Sequence, residues 1–133
     1  MIQYHLQSTA PHLRVDLVGT VSEDDVARAL GPLPDDLPSL PEAFVGLIVY
    51  PKLRLIEEDA VGPLFYAVTH LFHARPALCV FVNGGHSLHP GLRSYIERLA
   101  RDGQVAFVET EAEAARHIEE HEAPRRPSSD SVA

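Results

Sequence analysis

The sequence predicts a single α/β domain with a mixed, mostly parallel five-stranded sheet flanked by about four helices, in the order β-β-α-β-α-β-α-β-α. Two continuous apolar runs, at residues 44–50 and 77–82, are typical of strands buried on both faces. A strongly amphipathic helix separates them, which gives the strand-helix-strand unit of a parallel sheet. Two alternating runs near the amino terminus favour an antiparallel hairpin.

The composition limits the classes of protein to which the chain can belong. Its 133 residues suffice for one domain, which we place at residues 1–122. No apolar run approaches the roughly 20 residues that a membrane span needs. The 19 acidic and 11 basic residues give a net charge of -8, which would repel a phosphate backbone. We therefore expect no membrane span and no nucleic-acid partner.

The ends of the chain and its single cysteine indicate a compartment. Residues 1–5 lack the charged and apolar segments of a signal peptide, and Cys79 has no second cysteine with which to form an internal disulfide bond. Both observations favour the cytoplasm.

Residues 123–133 show no periodicity, and we predict that they form a disordered tail.

The first elements are short strands. Apolar and polar residues alternate over residues 2–7 and again over residues 13–18, and a proline turn separates the two runs. This pattern predicts two strands joined as a hairpin. Gly19 follows the second strand, and we expect a sharp turn there because glycine tolerates a left-handed backbone.

A short helix and a stiff connection follow. Ser22 and Asp25 form a capping-box-like start for a helix in which Val26 and Leu30 face inward. Residues 31–41 contain four prolines, which disfavour regular helix. Leucines recur there at three- to four-residue spacing. We predict a structured loop over the core rather than an exposed segment for a proline-binding domain.

The segment at residues 43–74 organises the predicted sheet. It consists of the central strand, an acidic turn within residues 55–63 and the amphipathic helix, whose apolar stripe begins at Val61. We expect the turn to lie at the carboxyl end of the strand, where helix amino termini and binding sites converge in α/β sheets. Four residues fall on the side of the helix away from the apolar stripe, where we expect them to face solvent and offer a contact surface: Pro63, Tyr66, His70 and His73.

The remaining elements complete the sheet. Pro90 is suited to the first position of a helix, and Gly103 to its carboxyl-terminal stop. Residues 105–108 form the last predicted strand. Thr110 and Glu113 form a capping box, which predicts a final helix.

Three segments together resemble the STAS domain family of anti-sigma-factor antagonists. Residues 15–19 resemble the strand and glycine that open these domains. The strand at residues 44–50 and the segment at residues 59–62 resemble their central strand and Asp-Ser-Ser-Gly turn. Residues 108–114 resemble their closing strand and helix start. The resemblance covers the whole predicted domain, and implies a STAS-like fold, a protein partner and a role in bacterial signalling and transcription regulation.

The turn departs from the family pattern. In phospho-regulated members the second serine before the glycine accepts phosphate, whereas Val61 occupies the aligned position here and Ala60 replaces the first serine. Neither side chain has a hydroxyl group, so the resemblance implies a protein that phosphorylation cannot switch at this turn. With the alignment shifted by one residue, Asp59 would supply a fixed negative charge. Tyr50 also stands where the family often has an acidic residue.

Two functions remain open, and the first is a non-catalytic protein-interaction module. Its partner would be an anti-sigma factor, a kinase-like regulator or a second copy of the chain. The residues expected to bind the partner are Asp59, Ala60, Val61, Gly62, Pro63, Tyr66, His70 and His73.

The second function is a small-ligand or metal-binding protein that uses the loops at the carboxyl ends of the central strands. Carboxylates and imidazoles can hold a divalent metal or act as acid and base. The residues of this alternative site are Glu58, Asp59, Asn83, Gly84, Gly85, His86 and His89. Their spacing matches no known metal signature, and the sequence lacks both the Gly-x-Ser-x-Gly elbow and the dinucleotide fingerprint. We therefore expect no enzymatic activity and favour the first function, which requires no cofactor and no metal.

Overall fold

The computed structural model describes residues 1–85 and 89–123. It confirms the predicted α/β class. The elements in chain order are β1 (Ile2–Leu6), β2 (Leu13–Leu17), β3 (Gly19–Val21), α1 (Glu23–Leu30), α2 (Leu33–Asp36), a 3-10 helix (Leu37–Ser39), β4 (Val45–Val49), β5 (Leu53–Ile56), α3 (Glu58–His73), β6 (Leu78–Val82), α4 (Pro90–Leu99), β7 (Val105–Val108) and α5 (Glu111–Glu122).

The main sheet of the described residues has five strands in the order β1-β2-β4-β6-β7. β1 and β2 are antiparallel, with Ile2 opposite Leu17 and Leu6 opposite Leu13. The other three pairs, β2 with β4, β4 with β6 and β6 with β7, are parallel. The predicted mixed, mostly parallel five-stranded sheet is therefore confirmed.

Helices cover both faces of this sheet. On one face, Ile48 and Phe81 belong to a core cluster that includes Leu64 of α3 and Ile96 of α4. On the other face, β4, β6 and β7 pack against Ile118 of α5. Every residue of β4 and β6 is buried as a result, which explains why these strands are continuous apolar runs in the sequence.

A second, two-stranded parallel sheet was not predicted. β3 pairs with β5, with Gly19 opposite Leu53 and Val21 opposite Ile56. The two strands have three and four residues, which is too short for an alternating pattern to be visible. Gly19 has φ +68 and so provides the left-handed turn expected of it.

The prediction that residues 31–41 contain no regular helix is wrong. α2 is one helical turn, and the 3-10 helix follows it directly. Prolines stand in the first positions of both, where the missing N–H removes no intrahelical hydrogen bond. Leu33 and Leu37 are buried in the larger cluster, so the expected packing over the core is confirmed.

The second half of the chain follows the predicted order with one difference. α4 begins at Pro90 as predicted but ends at Leu99, so Gly103 is not its stop. Gly103 lies in the next turn, with φ +77. None of the helices in the described ranges is long and apolar enough to cross a membrane. His86 and the predicted tail from residue 124 onwards lie outside the described residues.

Candidate functional site

The residues predicted to form an acidic turn are the first turn of α3. The helix begins at Glu58, and the backbone N–H of Ala60 donates to the carbonyl of Glu57 at 2.9 Å. Glu58 and Asp59 are exposed at the amino end of the helix, where carboxylates are stabilising. The expectation of a non-helical turn is therefore wrong. The Ala60 side chain is fully buried and offers no surface to a partner, whereas Val61 is half-buried.

A groove with mostly apolar walls separates α3 from α1 and α2. Its volume is about 360 Å³. The α3 wall consists of Gly62, Pro63, Tyr66, Ala67 and His70, and the facing wall consists of Val26, Ala27, Leu30, Gly31 and Pro34. The groove brings together residues that lie at least 28 positions apart in the sequence.

The four residues predicted to face solvent on α3 have different environments. Pro63 and His70 are half-buried, because α1 and α2 border that side of α3. Tyr66 is exposed and lines the same groove. His73 is exposed but lies outside the groove, near the end of the helix. The predicted contact surface is therefore a groove with an exposed rim and not a uniformly exposed helix face.

Tyr66 is the most exposed large apolar side chain in the described ranges, at 66% of its full accessibility. Its ring meets the imidazole of His70 edge to face, with the ring centroids 4.5 Å apart at 76°. This contact restricts the orientation of the tyrosine beside the groove. An exposed aromatic ring with a polar tip is well suited to recognising another protein.

Carboxylates cluster at the end of the groove where α1 and α3 begin. β3 leads into α1 and β5 leads into α3. These two strands are parallel neighbours, and Glu57 N–H donates to the carbonyl of Val21 at 2.9 Å. Both helices therefore start at the same end of the groove. Their first turns carry Glu23, Asp24 and Asp25 from α1 and Glu58 and Asp59 from α3.

Asp25 is the carboxylate of this cluster with the most partners. It accepts a hydrogen bond from Ser22 N–H at 3.0 Å and lies 3.3 Å from the Arg28 guanidinium. The amino terminus of Met1 is 3.8 Å away. Hydrogen bonds from Ser22 lower the pKa of Asp25. The other four carboxylates have no ion pair within the described residues, so this end of the groove keeps a negative charge.

The side chains of Asn83 and His89 in the alternative site form hydrogen bonds within a local turn and a helix cap. The Asn83 side-chain oxygen accepts a hydrogen bond from Gly85 N–H at 2.7 Å. His89 caps α4, because its Nδ1 accepts from Leu92 N–H at 3.3 Å. These bonds stabilise the loop and the helix start without any bound ligand.

The described residues show no interaction between the two halves of the alternative site. Neither Glu58 nor Asp59 forms a hydrogen bond or ion pair with the β6 loop or with His89 in the described part of the chain. Residues 1–85 and 89–123 also contain no group of three or more His, Cys, Asp or Glu side chains able to hold a metal ion. His86, the remaining member of the proposed set, lies outside the described residues.

Sequence reasoning missed the second wall of the groove. The sequence predicts that Val26 and Leu30 face the core and that Gly31 and Pro34 belong to a structured loop, and it assigns no role to Ala27. The capping box at the start of α1 indicated that the helix exists. No signal within α1 indicates that α3 would lie beside it, because this adjacency depends on the pairing of β3 with β5.

Comparison by sequence found no relative: no protein-family model and no curated protein matches this chain. Solved structures do share its fold. An uncharacterised protein of the DUF3478 family from Shewanella loihica PV-4, with a SpoIIAA-like fold, has a TM-score of 0.62 at 18% identity, over 88% of this chain and 93% of that one. The anti-sigma factor antagonist SpoIIAA in its unphosphorylated form has a TM-score of 0.57 at 13% identity, over 86% and 96% of the two chains.

The phosphorylated form of SpoIIAA, a Bacillus cell fate determinant, is similar to the same degree. Its TM-score is 0.56 at 13% identity, and the match covers 87% of this chain and 98% of that one. Identities this low establish a shared fold and not a shared activity. This chain therefore has the SpoIIAA-like fold, which confirms the STAS-like fold implied by the sequence resemblance.

Proposed function

We propose that this chain is a non-catalytic protein-interaction module that binds its partner along the groove between α1 and α3. The exposure of Tyr66 carries this proposal, because a large aromatic side chain that is 66% exposed beside an apolar groove has little structural purpose. Tyrosines in such positions are frequent centres of binding energy at protein interfaces. Pro63 and His70, on the same helix as Tyr66, would also contact the partner.

The groove favours a partner segment of defined chemistry. Its mostly apolar walls suit the apolar face of an amphipathic helix. The carboxylates at its end, led by Glu58 and Asp59, suit basic residues at one end of that helix. The fold shared with an anti-sigma factor antagonist supports an anti-sigma factor or a related kinase-like regulator as the partner, in the cytoplasm.

We also propose that phosphorylation does not switch this interaction at the start of α3. SpoIIAA has an unphosphorylated and a phosphorylated form. In this chain residues 59–62 contain no hydroxyl group, and Glu58 and Asp59 hold a permanent negative charge. The module would therefore be permanently competent to bind. Phosphopeptide mapping of protein purified from its host should find no phosphate on residues 57–63, and a phosphoaspartate at Asp59 would contradict this part of the proposal.

The groove is tested by comparing three forms of the intact chain in affinity capture from a native lysate, with quantitative mass spectrometry. The first is the wild type and the second carries Tyr66→Ala and His70→Ala. The third, a matched control, carries Arg116→Ala and His117→Ala on the exposed side of α5, across the sheet from the groove. We expect the control to recover the partner as the wild type does. The groove variant should recover at least tenfold less.

Two outcomes would count against the proposal. Equal recovery by the groove variant would place the partner elsewhere, and loss in both variants would indicate a general defect.

Sedimentation of the purified chain separates self-association from a foreign partner. A dimer that dissociates in the Tyr66→Ala, His70→Ala variant alone would identify a second copy as the occupant of the groove.

A further inference from the structure

A second cavity lies at the opposite end of α3 from the acidic first turn. It has a volume of about 690 Å³, within the range of small-molecule sites. It is bounded by the amino ends of β4, β6 and β7 and by the last turns of α3 and α4. Phe72 and Leu99 supply its apolar surface. None of the sequence motifs pointed to this place.

Two arginines line this cavity. Arg75 follows α3 and Arg101 follows α4, and both are exposed. Neither guanidinium has an ion-pair partner within the described residues, although the chain as a whole carries a net charge of -8. Asp102 is the carboxylate in the lining, and His73 adds an imidazole. The cavity is therefore a cationic site in an acidic protein.

Gln104 holds the two arginine-bearing segments in place. Its side-chain nitrogen donates to the carbonyl of Pro76 at 2.7 Å, and its side-chain oxygen accepts from Arg101 N–H at 2.8 Å. Pro76 is the neighbour of Arg75 in the chain. One glutamine thus ties the backbone beside the first arginine to the backbone of the second. These bonds fix the two backbone segments from which the arginine side chains extend, which reduces the freedom that the site loses when an anion binds.

The backbone conformation of Arg75 is also unusual. Its φ is +58, a left-handed value that costs side chains with a Cβ and favours glycine. Arg75 occupies the position just beyond the α3 cap, where helices usually place glycine or asparagine. An arginine at this position therefore opposes the local backbone preference, as residues at functional sites often do.

The helix ends and Asp102 offset part of this positive charge. The carboxyl ends of α3 and α4 both point to the cavity, and each carries about half a negative elementary charge that fades beyond the last turn. Backbone N–H groups already bind terminal carbonyls, with Arg75 N–H donating to Phe72 and Ala100 N–H donating to Ile96. Anion binding at this site therefore depends on direct hydrogen bonds from the two unpaired guanidinium groups and not on a strong net field.

We propose that this cavity binds a small organic anion. Arg75 and Arg101 would hold its phosphate or carboxylate group, since a guanidinium binds either through two parallel hydrogen bonds. Phe72 and Leu99 would contact its apolar body. This site is independent of the partner-binding groove, which lies between α1 and α3.

The test uses the intact chain, isothermal titration calorimetry and three probes that differ only in their polar group. Phenyl phosphate and benzoate carry the two candidate anions, and benzyl alcohol is the neutral control. We expect saturable binding of at least one anion, with a dissociation constant of about 1 mM or tighter, and no saturable binding of the alcohol. The anion that binds more tightly identifies the class of ligand.

Variants connect that binding to the cavity. Arg75→Asn with Arg101→Gln removes both charges, and asparagine tolerates the left-handed backbone at position 75. Affinity should fall at least tenfold in this variant with no fall in melting temperature. Arg98→Gln removes an exposed arginine of α4 that does not line the cavity, and it should bind as the wild type does. The Tyr66→Ala, His70→Ala variant should also keep full affinity.

The proposal fails if neither anion binds, if benzyl alcohol binds as tightly, or if the double arginine variant keeps wild-type affinity. An equal loss on Arg98→Gln would also overturn it, because the effect would then arise from overall charge. Loss of anion binding with the groove intact, or the reverse, distinguishes failure of this inference from failure of the proposed function.

Discussion

At the scale of single residues, Cys79 is a packing residue of the sheet. It lies opposite Gly46 across the β4–β6 pair, and a Cβ atom at position 46 would lie 3.2 Å from its sulfur atom. The thiol therefore takes the space left by the glycine. Burial raises the pKa of the Cys79 thiol to about 12, which suppresses the reactive thiolate at neutral pH.

We predict that Cys79 reacts with Ellman's reagent only when the chain unfolds. The reaction should be negligible in the native protein at pH 8 and complete in denaturing urea, because burial and the raised pKa both protect the sulfur atom. Absorbance of the released thiol follows the reaction. Rapid modification of the native protein would show that β6 opens locally.

Asp25 makes stability depend on acid pH. Its pKa is lowered in the folded chain, first by the hydrogen bond from the Ser22 backbone. The carboxylate therefore stabilises the fold above the pKa of an unfolded aspartate, about 3.9, and this contribution disappears as the pH falls through the lower folded value. We expect Asp25→Asn to lower the urea midpoint at pH 7 and to converge with the wild type towards pH 3.

Asp24→Asn provides the control for this prediction. Asp24 lies in the same helical turn and is exposed, but it does not form the capping box. Its substitution should move the midpoint much less at pH 7. Equal effects of the two substitutions would mean that the general charge of the helix end matters and the Ser22 hydrogen bonds do not.

At the scale of elements, the start of α3 is locally weak. Pro63 lies inside the helix and has no N–H to donate to the carbonyl four residues earlier. Gly62 precedes it, and glycine in a helix interior costs backbone entropy. A Cβ atom at Gly62 would meet nothing within 4 Å, so space does not require a glycine there.

We predict that Gly62→Ala raises the free energy of unfolding by up to about 0.5 kcal/mol. The alanine meets no atom from elsewhere in the fold and reduces the freedom of the unfolded chain. Its Cβ atom would crowd the ring of Pro63, which disfavours a helical residue before proline and offsets part of the gain. Gly103→Ala is the control, since its site is equally open but has φ +77. It should lower the free energy of unfolding by about 1–2 kcal/mol. Urea denaturation measures both, and a loss of stability in Gly62→Ala as large as that in Gly103→Ala would contradict this difference.

At the scale of the whole molecule, the larger core is not completely filled. A cavity of about 70 Å³ lies between the sheet and its covering helices, and its walls are apolar side chains that include Val15, Leu64 and Ile96. Val80 is fully buried in the smaller cluster under α5 and does not line this cavity. Added volume at Val15 and at Val80 should therefore have different effects.

We predict that Val15→Ile stabilises the protein by up to about 0.8 kcal/mol, the transfer free energy of one buried methylene group. Val80→Ile adds the same group at a fully buried position that does not line this cavity, and it should destabilise by about 1–3 kcal/mol. Thermal and urea unfolding compare the two variants. A stabilising effect of Val80→Ile would contradict this difference between the two positions.

Side chains of opposite charge stand at the two ends of α3. Glu58 and Asp59 stand at its start, and Arg75 follows its end about 24 Å away at 1.5 Å per residue. This arrangement also matches the helix dipole. The proposed protein-binding groove thus has an acidic end, and the proposed anion site lies at the opposite, cationic end. The two functions can be tested separately for this reason.

Local sequence determined the large elements of the fold. The apolar runs of β4 and β6, the stripe of α3, the capping box at Ser22 and the N-cap at Thr110 each depend on a few neighbouring residues, so local sequence identifies them without the rest of the chain. The main sheet could be predicted from these signals. They also placed Tyr66 correctly on the outside of its helix.

Tertiary structure alone decided which elements are neighbours. The pairing of β3 with β5 places α1 beside α3 and so creates the groove. Both strands are too short to show an alternating pattern in the sequence. The cationic cavity brings Arg75 and Arg101 to one place, with Gln104 joining their backbone segments, although 25 residues separate the two arginines in the sequence. Periodicity reports which side of an element is buried, whereas the identity of the neighbour depends on contacts between distant segments that form only when the chain folds.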